Sequence, residues 1–334
     1  MASEEELDNA DAEAMYRHGT FDACAAHALL AQKVWGALRG LGVERGRMLV
    51  LGDHAAVHAG ISARGQVSTS IYEEWVAAIP PAGQDGRYPW PQDMVRLRSF
   101  TEHDPATHDV VITALPWSDV HFRSEYGKQR IAQIHNEYLR SAIAHAFPGG
   151  IVAAVASRQV LDGPETAHRE LFLDNADLLG AARLPATFFR PDLPVENAEA
   201  SDLLFLRRRL PGEPVRSADF LNLHPVAVPG GVEYVNEYYG FTYPEHIVGT
   251  AGVVGDADHD AARYTVRCDD EPVDVVLHHV VSRIVAQALS RGLVAVSASW
   301  HPPEARLAPE ADRSVRAQAP RPPSATLRGD APSL

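Results

Sequence analysis

Residues 113–117 read TALPW and directly follow the β-type run HDVVI. An open α/β sheet places its ligands beyond the carboxyl ends of its strands, where this pentapeptide falls. Trp117 offers a flat face for stacking a planar ligand. The competing role is a plug that fills the pocket, since Ala114, Leu115 and Pro116 bring no polar side chain. A second candidate is GDHAAVHAGI, residues 52–61. His54 and His58 are four apart, share one face if the segment is helical, and could ligate a metal there. No Glu follows His54 and the spacing supplies no third ligand, so no metal is expected. Asp109 and Asp119 flank TALPW as a lone carboxylate pair for acid–base work. Arg207, Arg208 and Arg209 end a strand-like run and either touch phosphates or form a solvated strand end. His278 and His279 are adjacent and point to different faces of a helix. The sequence has no G-x-S-x-G elbow, Walker loop, H-E-x-x-H or paired C-x-x-C.

The elements that must position these residues are legible as alternating runs. Residues 21–41 carry Leu30, Val34, Ala37, Leu38 and Leu41 at helical spacing and stop near Gly40 or Gly42. Strands are expected over 47–53, 93–100, 109–115, 150–157, 177–185 and 200–210. Residues 65–81 read as a short strand and then a helix ended by Pro80 and Pro81. Residues 126–147 form an amphipathic helix stopped by Pro148-Gly149-Gly150, and 168–176 and 273–292 are helical. Continuous apolar strands between helices imply an α/β fold whose mostly parallel sheet is covered on both faces. The domain plan is an acidic leader and helix (1–42), a sheet domain (43–210), an extension (211–300) and a Pro/Ala/Arg tail (301–334) that cannot offset its ordering entropy. The extension is rich in Pro, Gly and Tyr and reads as irregular chain wrapped on the core.

With 334 residues, 46% of them apolar, the chain can bury a substantial core. The net charge of −14 disfavours a nonspecific polyanion binder but permits a local basic groove. Two cysteines without metal-type partners suggest a reducing compartment. The acidic N-terminus lacks an apolar signal region, and no apolar run reaches the length of a membrane span. The expected location is the cytoplasm.

Several stretches together resemble N6-adenine DNA methyltransferases of the large bacterial and phage type, often fused to a helicase. They are HNEYLRSAIAHAFPGGIVAAVASRQVLD (135–162), LLGAARLPATFFRPD (178–192), ASDLLFLRRR (200–209), VNEYYGFTYPEHIVGT (235–250) and QKVWGALRGLGVERGRMLVL (32–51). The pair GAxRLP and D-[IL]-L-F-L is the most specific part. The resemblance implies a Rossmann-like class I sheet with its last strand antiparallel, S-adenosylmethionine as cofactor, and adenine in DNA as substrate. It also implies two working loops. A glycine loop after the first strand would admit the cofactor, because only Gly offers the dihedrals and clearance. An N-P-P-aromatic loop after the fourth strand would grip the flipped adenine.

This chain departs from both patterns. Gly52 and Asp53 stand for the acidic residue and proline of the first loop, and Ala56 and His58 for its two glycines, where side chains should intrude or strain the backbone. Ala114 stands for the asparagine, Leu115 and Pro116 for the prolines, and Trp117 for the aromatic. The carboxylate expected on the ribose is missing; Thr69 and Ser70 occupy that region and Glu73 is nearest. The sequence therefore reads as a homologue that kept the fold and lost the chemistry, a binding or interaction module with S-adenosylmethionine binding in doubt. The alternatives are an active adenine methyltransferase with atypical motifs, and a regulatory protein of a restriction, defence or mobile-element system. DNA and a helicase or restriction partner are the implied contacts.

Overall fold

The computed structural model describes residues 24–52, 55–59, 74–78, 95–97, 108–114, 125–191, 193–195, 198–255 and 262–296. The leader, the tail and the intervening stretches lie outside the described residues. The central strands are β1 (Arg47–Gly52), β2 (Glu74–Ala78), β3 (Val95–Leu97), β4 (His108–Ala114), β5 (Ala146–Ser157), β6 (Ala176–Arg183) and β7 (Ser201–Arg208). They form one sheet in the order β3-β2-β1-β4-β5-β7-β6. β1, β4 and β5 pair in parallel, β7 inserts antiparallel between β5 and β6, and β2 is antiparallel to both β1 and β3. Five of the seven strands thus run one way, and β2 and β7 oppose them. This is the Rossmann-like α/β class expected from the sequence, with β7 as its antiparallel late strand.

β1, β4, β5, β6 and β7 are buried on both faces, and side chains alternate between the faces along each of these strands. Met48 and Val50 of β1 join an apolar cluster with helix α1 (Cys24–Gly40), the short helix α2 (Ala55–His58) and helix α6 (Val273–Ser290). Leu49 and Leu51 join the opposite cluster with helix α3 (Glu125–His145) and helix α5 (Ala167–Asn175). The one-turn helix α4 (Gln159–Asp162) follows β5.

Three expectations are corrected. Residues 74–78 are the strand β2, not a helix. Pro80 and Pro81 would end either element, so the prolines marked the boundary without choosing the type. Helix α3 stops at His145, and strand β5 begins at once and runs through Pro148-Gly149-Gly150. A register shift between His108 and Val110 interrupts the β4–β5 ladder there, an irregularity of the kind that tolerates a proline lacking its N–H. The extension is not irregular. It forms the hairpin β8 (Leu223–Val228)–β9 (Gly231–Asn236) and the hairpin β10 (Thr250–Gly255)–β11 (Ala262–Arg267). Its Pro229-Gly230 is the two-residue turn of the first hairpin, a turn signal rather than a sign of absent structure.

The extension docks along the sheet edge at β6, whose eight residues are all buried. Leu178 N donates to Ser217 Oγ (2.9 Å), and Leu178 O accepts from Ala218 N (3.2 Å). Ala181 N donates to the Tyr238 hydroxyl (2.9 Å), Arg183 O accepts from Val248 N (2.8 Å), and Leu179 O accepts from Arg291 Nη2. Gly180 sits where these elements meet. A Cβ there would lie 2.7 Å from Ile284 Cγ2 of α6 and 2.9 Å from the Tyr238 hydroxyl, so only glycine fits without displacement.

Candidate functional site

The two expected loops start side by side, because Gly52 and Ala114 are partners across the β1–β4 ladder. Gly52 has φ +89°, and an added Cβ would meet Ala114 O at 2.0 Å, so this position admits only glycine. Ala114 is 1% exposed and belongs to the apolar cluster that also holds Ala55, Ala59 and Val34. Ala56 and His58 lie in α2, a right-handed turn whose backbone any L residue adopts. His58 is buried. Its Nε2 lies 3.1 Å from His27 Nδ1, and its carbonyl accepts from Trp35 Nε1 at 2.9 Å. The segment after β1 is therefore fastened to α1, with His27 also against the Phe189 ring. Asp53, His54, Thr69, Ser70, Glu73, Leu115, Pro116, Trp117 and Asp119 lie outside the described residues.

Other expectations resolve more sharply. Asp109 accepts from Arg47 N (2.8 Å) at the start of β4. At roughly 3.3 Å per residue it is about 16 Å from Ala114 along the strand, at the wrong end for acid–base work beside that loop. The Arg207–Arg209 run is not a solvated strand end. Arg207 bonds Val294 O and Glu213, Arg208 bonds Ala144 O and Ala146 O, and Arg209 bonds Asp177 and the carbonyls that end α5. These guanidiniums close helix and strand ends instead of facing solvent. His278 and His279 are both exposed on α6, with ring centroids 6.1 Å apart. No group of three or more His, Cys, Asp or Glu among the described residues could hold a metal ion, and no described helix is long and apolar enough to cross a membrane.

The dominant polar constellation lies instead at the ends of β5, β6 and β7. Arg183, fully buried, grips Asp202 with Nε (2.9 Å) and Nη2 (3.0 Å) and Asp162 with Nη1 (2.7 Å). Arg158 adds a second bond to Asp162 (3.0 Å), and Asn236 N a third (3.0 Å). The Tyr239 hydroxyl donates to Asp202 (3.0 Å), and the Arg183 guanidinium lies over the Tyr239 ring (4.2 Å) and near that of Tyr264 (5.3 Å). Burial opposes charge on all these groups. For Arg183, Asp162 and Asp202 outweigh it and hold the guanidinium charged; for Asp162, Arg183 and Arg158 outweigh it and hold its carboxyl below the usual range. Asn236 fastens the constellation to the extension, donating from Nδ2 to Leu161 O and Phe220 O (2.9 Å each).

Sequence reasoning did not assign these roles, although their signals were present. Arg183 and Asp202 are single charges in the strand runs GAARLP and SDLLFL, and Asn236 and Tyr239 lie in NEYYGF. A lone charge inside a buried strand requires a partner. The stretches that carried the resemblance thus supply one buried polar lock. Beside it opens a cavity of about 550 Å³ whose walls include Arg158, Asp162, Arg169 and Tyr264.

No protein-family model and no curated protein sequence matches the chain. Among solved structures it is similar to a chain assigned as a class I S-adenosylmethionine-dependent methyltransferase from Listeria monocytogenes, at 17% identity over 40% of this chain and 37% of that one, with a TM-score of 0.24. It is also similar to the M protein of the type I restriction enzyme EcoKI, at 16% identity over 61% of this chain and 53% of that one, with a TM-score of 0.25. The chain therefore spans only part of either structure. Neither similarity transfers a residue, ligand or activity, and the α/β class is read from the sheet itself.

Proposed function

We propose that this chain is a homologue of N6-adenine DNA methyltransferases that keeps the sheet and has lost methyl transfer, acting as a binding or interaction module. One observation carries the reading. Ala114, at the position that the resemblance gives to the adenine-gripping asparagine, is packed in an apolar cluster beside Gly52. A preorganised polar group of that kind is worth about 3 kcal/mol, or more than about 100-fold in rate, and a methyl group cannot supply it.

The segment after β1 supports the same reading for S-adenosylmethionine. Where a glycine loop would admit the cofactor, the chain forms α2, with Ala55, His58 and Ala59 buried against α1 and β1. DNA and a helicase or restriction partner are the contacts that the resemblance implies.

The test is calorimetry with S-adenosylmethionine together with methyl transfer to adenine-containing DNA. The expected result is no transfer and little or no cofactor heat. Robust transfer would overturn the reading and favour an active enzyme with atypical loops.

A further inference from the structure

The cavity beside the polar lock holds a charge that the lock does not use. Arg169 is 1% exposed and forms part of the cavity wall. Its Nε donates to Leu221 O (2.9 Å) and its Nη1 to Gly163 O (2.7 Å). Its Nη2 has no acceptor among the described residues, and both partners it does have are neutral carbonyls. A buried guanidinium is costly without a counter-charge; no described carboxylate forms an ion pair with Arg169, and Asp162, Glu237 and Glu170, acting from farther off, do not offset its burial.

Two further features point the same way. Arg169 is the third residue of α5, and Thr166, immediately before that nine-residue helix, is also in the cavity wall. Thr166 makes no side-chain cap; its hydroxyl donates to Glu170 instead (3.1 Å). The positive end of α5 therefore opens on the same cavity without a capping oxygen, which favours an anion there. The wall also carries Arg158 and Arg263, so three guanidinium groups face two carboxylates, Asp162 and Glu233. Asp162 is already committed to Arg183 and Arg158, and Arg158 to Asp162 and Glu199. Arg169 has no ion-pair partner among the described residues, and its Nη2 has no acceptor there. The volume, about 550 Å³, suits a ligand of nucleotide size, and Tyr234, also in the wall, is 61% exposed and leaves a ring face for a planar body.

We propose that this cavity is an oxyanion site that takes a phosphate group, with Arg169 Nη2 and the α5 N-terminus as anchors and Arg263 as a second contact. The inference goes beyond the methyltransferase reading and stands whether or not that reading holds. It uses neither Gly52 nor Ala114.

The experiment is calorimetry on the full chain with inorganic phosphate, uridine monophosphate, uridine and an oligodeoxythymidylate lacking terminal phosphates. Pyrimidine probes keep the result separate from any adenine or cofactor site. Phosphate and the monophosphate should bind and uridine should not; a tighter oligonucleotide would identify the source as a strand backbone rather than a free ester. Arg169→Met should weaken binding about tenfold or more, the scale of a charge-assisted bond. If Arg169→Met fails to fold, Arg169→Lys and Arg263→Gln carry the same comparison. The proposal is overturned if neither phosphate nor the monophosphate binds at millimolar concentration. Uridine binding as tightly as its monophosphate, or unchanged affinity in the folded Arg169 and Arg263 variants, would overturn it equally.

Discussion

At the scale of single residues, Arg183 decides most. It is the shared partner of Asp162 and Asp202, and all three side chains are within 1% of full burial. Among the described residues, Arg183→Met would leave the Asp202 carboxylate with Tyr239 as its side-chain donor and Asp162 dependent on Arg158 and Asn236. Breaking a buried pair on one side typically costs about 3–5 kcal/mol, so urea denaturation should show a loss of that size. Ala114→Asn tests a different point. It would place an amide in an apolar cluster, and should cost about 1–3 kcal/mol in chemical denaturation without creating methyl transfer. Restored transfer would show that α2 does not block the cofactor. His246 makes a pH prediction. Burial lowers its pKa from 6.5 to about 4, while its Nδ1 stays within 2.7 Å of the Tyr238 hydroxyl and its ring stacks on Tyr243. Between those two pH values the unfolded chain binds a proton that the folded chain does not. Stability should therefore fall as pH drops through that window, by at most about 3 kcal/mol. Denaturation midpoints measured against pH should show this dependence, and His246→Gln should flatten it.

At the scale of elements, β6 shows how packing selects a residue. Gly180 lies under Ile284 and the Tyr238 hydroxyl, and Gly180→Ala should cost about 1–3 kcal/mol in thermal or urea unfolding as α6 is pushed away. The sheet was largely legible beforehand. β4, β5, β6 and β7 are buried on both faces, so each reads as a continuous apolar run, and α1, α3 and α6 carry their stripes at helical spacing. β2 is the exception, because five residues ahead of two prolines hold too little periodicity to separate strand from helix. The site was legible in part. Gly52 and Ala114 do fall together, because strand order and register fix their adjacency. The Arg183–Asp202 pair was not foreseen, since its members are 19 residues apart and spacing does not encode a partner on another strand. The same limit hid Arg169, whose burial depends on the later hairpins: its Nε partner, Leu221, stands just before β8.

At the scale of the molecule, the extension is part of the core rather than an appendage. Phe220, Val235, Tyr238, Tyr239, Tyr264 and Val266 are all buried in the cluster beneath the sheet, and α6 supplies much of the cluster above it. A chain ending at residue 210 should therefore show no cooperative thermal unfolding by circular dichroism, whereas the full chain should show one. The bonds from Ser217, Ala218, Tyr238, Val248 and Arg291 to β6 have a further consequence. A strand at a sheet edge with unsatisfied N–H and C=O groups is a template on which another copy can add its own strand. Damage to the hairpins would uncover such a template while β5 and β7 still hold β6 extended. Variants of the extension should then be lost from solution by self-association whose rate climbs with protein concentration, before the sheet itself has come apart.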